Sequence, residues 1–123
     1  MISREKWLSI SDEQRKIDLK GKLAKQKNET VGVYVTPGAG TKDIPKFLFL
    51  ANDMATLMVI SAQIKKQLVK VDSGFSADSA LFLFMGGTVP SMTDTVGALL
   101  AENQKPDGFL HITYTKENVF GHD

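Results

Sequence analysis

Apolar residues recur along this chain with a period that changes from stretch to stretch, and each change marks an element. Ser11-Asp12-Glu13-Gln14 opens a sparse pattern whose apolar members are Ile17, Leu19, Leu23 and Ala24. Ser11 suits an N-cap with Gln14 as its capping-box partner. The pattern therefore predicts a surface helix from Ser11 to about Gln26, with Gly21 a weak point inside it. Trp7 and Ile10 before it fit a short first helix or a staple. The period then becomes two: Val31, Val33 and Val35 alternate with Gly32 and Tyr34, which predicts a strand. Thr36-Pro37-Gly38-Ala39-Gly40 is a turn, and a second strand over Lys46–Ala51 completes a loosely connected hairpin.

Further along, Asn52-Asp53 offers a cap for a helix from about Thr56 to Val69. There Leu57, Ile60, Ile64 and Leu68 recur at spacings of three and four and form one stripe. Lys65 and Lys66 fall in its last turns, where cations suit the helix dipole. After a polar loop, Ala80-Leu81-Phe82-Leu83-Phe84-Met85 is apolar throughout. Such a run predicts a strand covered on both faces, hence a central one beside the first. Val96, Leu99 and Leu100 mark a short helix after Asp94, and Phe109–Tyr114 reads as the last strand. The order matches an α+β fold, the ubiquitin-like β-grasp with an N-terminal helical extension. Residues 1–28 form the extension, 29–115 the core and 116–123 a flexible tail, all within one domain. Fold alone assigns no function.

Composition narrows the choice. A chain of 123 residues builds one core and needs no metal or disulfide staple. The net charge of +1 argues against a dominant nucleic-acid role. That balance hides a division: residues 1–30 carry eight bases and five acids, the remainder seven and nine. There is no cysteine, and the only histidines are His111 and His122, which removes thiol catalysis and thiolate metal sites. Gly38-x-Gly40 follows a strand but opens no helix, so it makes a poor phosphate loop. No nucleophile and base stand at motif spacing, so the chain is read as no enzyme, with no cofactor and no metal. The first residues are charged and lack an apolar h-region, and no stretch approaches the ~18 apolar residues of a membrane span. Composition predicts a cytosolic or nuclear protein.

Several of these segments, taken in order, resemble a known family. They are Phe49-Leu50, the Ile64-Lys65-Lys66 helix end, and Ala80-Leu81-Phe82-Leu83-Phe84. Asp107-Gly108-Phe109-Leu110-His111-Ile112-Thr113-Tyr114 and the closing Phe120-Gly121 complete the set. In order and spacing they resemble the autophagy ubiquitin-like modifiers of the light-chain-three and GABARAP type, over roughly residues 12–121. The basic helical extension also matches that family. The resemblance implies cleavage by a cysteine protease between Gly121 and His122, releasing His122-Asp123. An activating enzyme then adenylates the new carboxylate, and conjugating enzymes pass it by thioester to phosphatidylethanolamine. Glycine suits such a tail, because a narrow channel tolerates no Cβ. Borrowed lipid also supplies the membrane anchor the composition lacks, since two acyl chains hold firmly where one does not.

The resemblance further implies a groove for short aromatic-x-x-aliphatic motifs of cargo receptors, which add as a strand beside the second strand. By position, Leu23, Gly32, Lys46, Leu48, Leu50 and Phe109 form its aromatic pocket. Phe49, Ala51, Asn52, Ala55, Ile60 and Ile64 form the aliphatic one. Lys46, Lys65 and Lys66 attract acidic flanks. Each position also has a plainer reading: Phe49, Leu50, Ile60 and Ile64 are patterned like core residues, and Lys65 and Lys66 like a solvated helix end. Phe109 shares a strand face with His111 and Thr113, so a Phe on the more polar face points to docking; His111 there reads as a surface residue.

Three departures bear on the pockets. Gly32 and Asn52 stand where the family usually has proline, and Ala55 replaces a larger aliphatic, so the pockets are expected to be reshaped or deepened. Gln67 stands where a basic residue is common. The implied protein is a monomer before lipidation, cytoplasmic, and on the autophagosome membrane once lipidated. The competing expectation is a ubiquitin-like interaction module with the same groove that is never lipidated.

Overall fold

Val31, Val33 and Val35 are buried, and so are Gly32 and Tyr34 between them. A strand covered on both faces belongs at the centre of a sheet. The computed structural model, which describes residues 2–116, places β1 (Thr30–Pro37) there. The sheet has the order β2-β1-β4-β3, with β2 Leu48–Asn52, β3 Phe82–Phe84 and β4 Leu110–Thr115. β1 runs antiparallel to β2 and parallel to β4, while β3 is antiparallel to β4.

The two faces of the sheet have different cover. On one lie α1 (Arg4–Ser9) and α2 (Asp12–Leu23). Trp7 of α1 stacks on Tyr34 with ring centroids 4.0 Å apart, and Leu19 of α2 sits over Gly32. Because strand side chains alternate, Val31, Val33 and Val35 project from the opposite face, towards α3 (Leu57–Val71). The α3 stripe Leu57, Ile60, Ile64 and Leu68 is buried in one cluster with these valines, Leu110, Ile112 and Tyr114. α4 (Val96–Glu102) adds Val96 and Leu99.

Local capping agrees with the sequence at α2, where the Ser11 hydroxyl accepts from Gln14 N at 3.2 Å. The Gln14 side-chain amide turns forward and donates to Asp18. At α3 the expected cap is absent. Leu57 N donates to the Asp94 carbonyl and Met58 N to that of Met92, both at 3.0 Å. Backbone from the segment before α4 thus serves the free donors of the first turn. Asn52 instead closes its own turn, its side-chain oxygen accepting from Met54 N.

A second difference concerns the apolar run at residues 80–85. It yields a three-residue strand at the sheet edge, and β4 takes the expected place beside β1. Leu81, Leu83, Phe84 and Met85 are all buried, so the run reports cover on both faces and not a neighbour on both sides. The second strand is likewise shifted, beginning at Leu48 rather than Lys46.

Ion pairs anchor the helical extension. Arg4 donates from Nε and Nη2 to the two Asp43 oxygens at 2.8 and 2.6 Å, and from Nη1 to Tyr34 Oη and the Val35 carbonyl. These Arg4 hydrogen bonds hold the Asp43 carboxyl below its ordinary range. Arg15 lies over the Trp7 ring at 3.8 Å, donates to the Trp7 carbonyl and faces the buried Asp107 at 3.5 Å. Asp107 also accepts from Phe109 N and contacts His111 Nε2 at 2.8 Å. His111 is therefore half-buried and partnered, not a free surface residue. Tyr114 Oη donates to the Lys42 carbonyl at 3.1 Å, next to Asp43, and burial pushes this hydroxyl above its ordinary titration range.

Candidate functional site

The free edge of β2 is the one place in the described hairpin where unpaired backbone meets apolar hollows. Val35 N donates to the Phe47 carbonyl and Asp53 N to the Glu29 carbonyl. These bonds fix the odd-numbered residues of β2 as those turned towards β1, so Leu48 and Leu50 present N–H and C=O outward. Side chains alternate in the other sense. Leu48 and Leu50, opposite Tyr34 and Gly32, face the N-terminal helices, while Phe49 and Ala51 face α3.

Hollows lie on both faces of this edge. On the N-terminal side, Leu19, Lys22, Leu48, Phe49, Leu50 and Phe109 line a depression of about 80 Å³. It adjoins a hollow of about 260 Å³ with a floor of Ile2, Phe47 and Leu48, bordered by Lys22 and Lys46. Towards α3, Phe49, Leu50, Ala51, Asn52, Ala55, Val59, Ile60 and Gln63 surround a hollow of about 330 Å³ that Lys46 also borders. Leu50 and Val59 are 44% and 50% exposed, unusual values for such side chains in one cleft.

Most expected groove residues converge here: Lys46, Leu48, Phe49, Leu50, Ala51, Asn52, Ala55, Ile60 and Phe109. Five do not. Leu23 packs on the core, and Leu19, one turn earlier on the same face of α2 and seated over Gly32, takes its place. Ile64 is fully buried beneath the groove floor. Lys65 and Lys66 border none of these hollows. Gly32 lies under Leu19 and Phe109, so the space left by the missing side chain is filled and the pocket is not deepened there. Phe109 is only 7% exposed, meeting Trp7 edge-on at 5.6 Å. It forms a wall of the depression and not an open docking face.

Residues missed by pattern reading are Leu19, Lys22, Val59, Gln63 and Ile2. Val59 alone carried a usable signal, being apolar yet off the buried α3 stripe. Electrostatically the cleft is basic: Lys22 and Lys46 border it, and the Lys46 ammonium lies 5.5 Å from the Phe49 ring centroid. Among the described residues no group of three or more His, Cys, Asp or Glu comes together, and no helix is long and apolar enough to cross a membrane. Gly121 and His122 lie outside the described residues.

A mixed four-stranded sheet, one long helix across it and two helices on its other face define a ubiquitin-like protein. Residues 14–121 match the family described as autophagy protein Atg8, ubiquitin-like, and the chain belongs to that family. Autophagy-related protein 8 of Dictyostelium discoideum is 33% identical over 87 residues, which span 71% of this chain and 68% of that relative. Autophagy-related protein 8c of Arabidopsis thaliana is 44% identical over 46 residues, 37% of this chain and 39% of the relative. The crystal structure of Trypanosoma brucei ATG8 superposes with a TM-score of 0.78 at 20% identity, covering 98% of this chain and all of that one. The fold is the ubiquitin-like Atg8 fold, and the family is one of ubiquitin-like autophagy proteins.

Proposed function

We propose that this protein is a lipid-conjugated autophagy modifier and adaptor. A cysteine protease hydrolyses the Gly121–His122 bond. An activating enzyme adenylates the freed Gly121 carboxylate with ATP, and thioester relay ends in an amide to phosphatidylethanolamine. The chain itself supplies a carboxylate and a binding surface and performs no catalysis. It is cytoplasmic until conjugation and then resides on the autophagosome membrane. Gly121 falls at the end of the stretch matched to the family, which supports this assignment.

The observation that carries the adaptor role is the open β2 edge between two apolar hollows. An extended segment pairs its backbone with Leu48 and Leu50 and places its aromatic and aliphatic side chains in the hollows on either side. Lys22 and Lys46 draw an acidic flank and raise the association rate. Titration of a synthetic Trp-x-x-Leu peptide tests the groove. Leu50→Ala, at a half-exposed position, should weaken binding at least tenfold and leave the fold intact; unchanged binding refutes the groove. In cells, Gly121→Ala should remain full length and diffuse. Membrane recruitment of that variant, or an intact C-terminus on all wild-type protein, refutes lipidation and leaves an unconjugated adaptor.

A further inference from the structure

The open edge of β2 is short, and its ends are closed by specific side chains. Even-numbered residues from Lys46 to Asn52 turn their backbone groups away from β1, as the Val35–Phe47 and Asp53–Glu29 bonds require. At Lys46 both outward groups are taken. Lys46 N donates to Gln67 Oε1 at 2.8 Å, and Gln67 Nε2 donates to the Lys46 carbonyl at 2.9 Å. A primary amide carries the same donor and acceptor pair as a peptide unit, so Gln67, reaching down from α3, stands in for one residue of a neighbouring strand. At the other end the Asn52 carbonyl accepts from Ala55 N at 2.9 Å and its side chain from Met54 N.

Resting on the reading that the groove takes a peptide by strand addition, we propose that Gln67 and the Asn52 turn, which occupies its own carbonyl, bracket the edge to two rungs open in both backbone groups, Leu48 and Leu50, so that Gln67 determines where a bound strand begins. Outward residues repeat every two positions, about 6.6 Å, so a pairing segment of roughly four residues fills the edge. Beyond Leu48 the partner meets no free backbone. It meets the hollow of Ile2, Phe47 and Leu48 bordered by Lys22 and Lys46, with no acid among its lining residues. There the partner is read through the charge of an acidic side chain and not through pairing. Capping also protects the edge from unwanted strand addition.

The test compares the full-length protein with its Gln67→Ala variant. A Trp-x-x-Leu peptide is extended by two residues at each end in turn, and each added residue is also N-methylated to delete its backbone donor. Wild type should bind the methylated and unmethylated extended peptides within twofold of each other. Gln67→Ala should bind one extended peptide roughly threefold to tenfold tighter than the core peptide, the worth of a released backbone pair, and methylation should abolish that gain. Equal methylation sensitivity in both proteins, or no gain in the variant, overturns the proposal. Amide exchange in the free proteins provides a readout independent of peptide. Lys46 N–H should be protected in wild type and exchange at least tenfold faster in Gln67→Ala, with Val33 and Ile112 unchanged; an unchanged Lys46 rate overturns the cap. Failure of wild type to bind any Trp-x-x-Leu peptide instead refutes the adaptor reading on which the proposal rests.

Discussion

Leu19 of α2 closes directly over Gly32 of β1: a Cβ on Gly32 would lie 2.6 Å from Leu19 Cδ1 and 3.0 Å from the Phe109 ring. Both neighbours are buried, so neither turns aside into solvent. Gly32→Ala should cost about 1–3 kcal/mol by overpacking, read by urea denaturation. Leu19→Ala alone should cost about 2–5 kcal/mol. Combining the two should cost less than their sum, because removing Leu19 makes room for the methyl. Strict additivity would show that the contact does not limit this site.

The charged cluster under the N-terminal helices gives a separate prediction. Asp107 is 1% exposed and faces Arg15, His111 and the Phe109 amide. Replacing it with alanine removes the buried one of the two carboxylates beside Arg15, leaving only the exposed Asp12 at 3.4 Å, a change that costs up to about 3–5 kcal/mol. Trp7 is the only tryptophan, and it lies between Arg15 and Tyr34. Asp107→Ala should therefore red-shift the emission at native conditions as α1 and α2 loosen. Wild-type emission in that variant would show that ring stacking and the Arg4 contacts hold the extension without Asp107.

A pH dependence follows from the Arg4–Asp43 pair. Its carboxyl titrates lower in the folded chain than its ordinary value near 3.8. Between the two values the unfolded chain holds the proton and the folded one does not, so stability rises with pH there. The contribution is complete above the unfolded value and is lost as pH falls through the folded one. Arg4→Gln should thus be less stable than wild type at pH 7, and the difference should shrink as pH falls below about 4. A constant difference down to pH 2, by chemical denaturation followed at Trp7, would assign the effect of Arg4 to its stacking on Phe47 and Tyr34 and its bonds to Tyr34 Oη and the Val35 carbonyl, not to Asp43.

What could be read from the chain beforehand divides along physical lines. The Ser11 cap and the α3 stripe are local patterns, and both are where periodicity places them. α3 begins within a residue of the expected Thr56, but its capping was not readable, because its first donors are served by Met92 and Asp94, more than thirty residues away. The position of α2 along its axis was equally hidden: Leu19 and Leu23 lie one turn apart on the same face, and only the tertiary packing sets Leu19 over Gly32. The run at residues 80–85 misled because burial on two faces does not say how many strands lie alongside. Gln67 stood out only as a replacement for a common basic residue; its bonds to Lys46 carried no signal, since the partner is backbone.

Gly97 links stability to the groove. It is the second residue of α4, and a Cβ there would lie 2.8 Å from the Asp53 carbonyl oxygen and 2.9 Å from Asp53 Cβ. Gly97 N already donates to that oxygen at 2.9 Å, and Val96 N donates to the Ala55 carbonyl at 2.8 Å. A backbone oxygen cannot rotate out of the way as a side chain can. Gly97→Ala must therefore push the Asn52–Ala55 segment, which forms one end of the larger hollow. The expected loss is about 1–3 kcal/mol of stability, with chemical-shift changes concentrated at Asn52, Asp53 and Ala55. Peptide affinity should fall severalfold at temperatures where the variant is fully folded. Leu99→Ala, a core deletion elsewhere on α4, is the control: it should cost about 2–5 kcal/mol and leave affinity unchanged. Equal affinity losses in the two variants would mean that the hollow senses global stability and not the position of this turn.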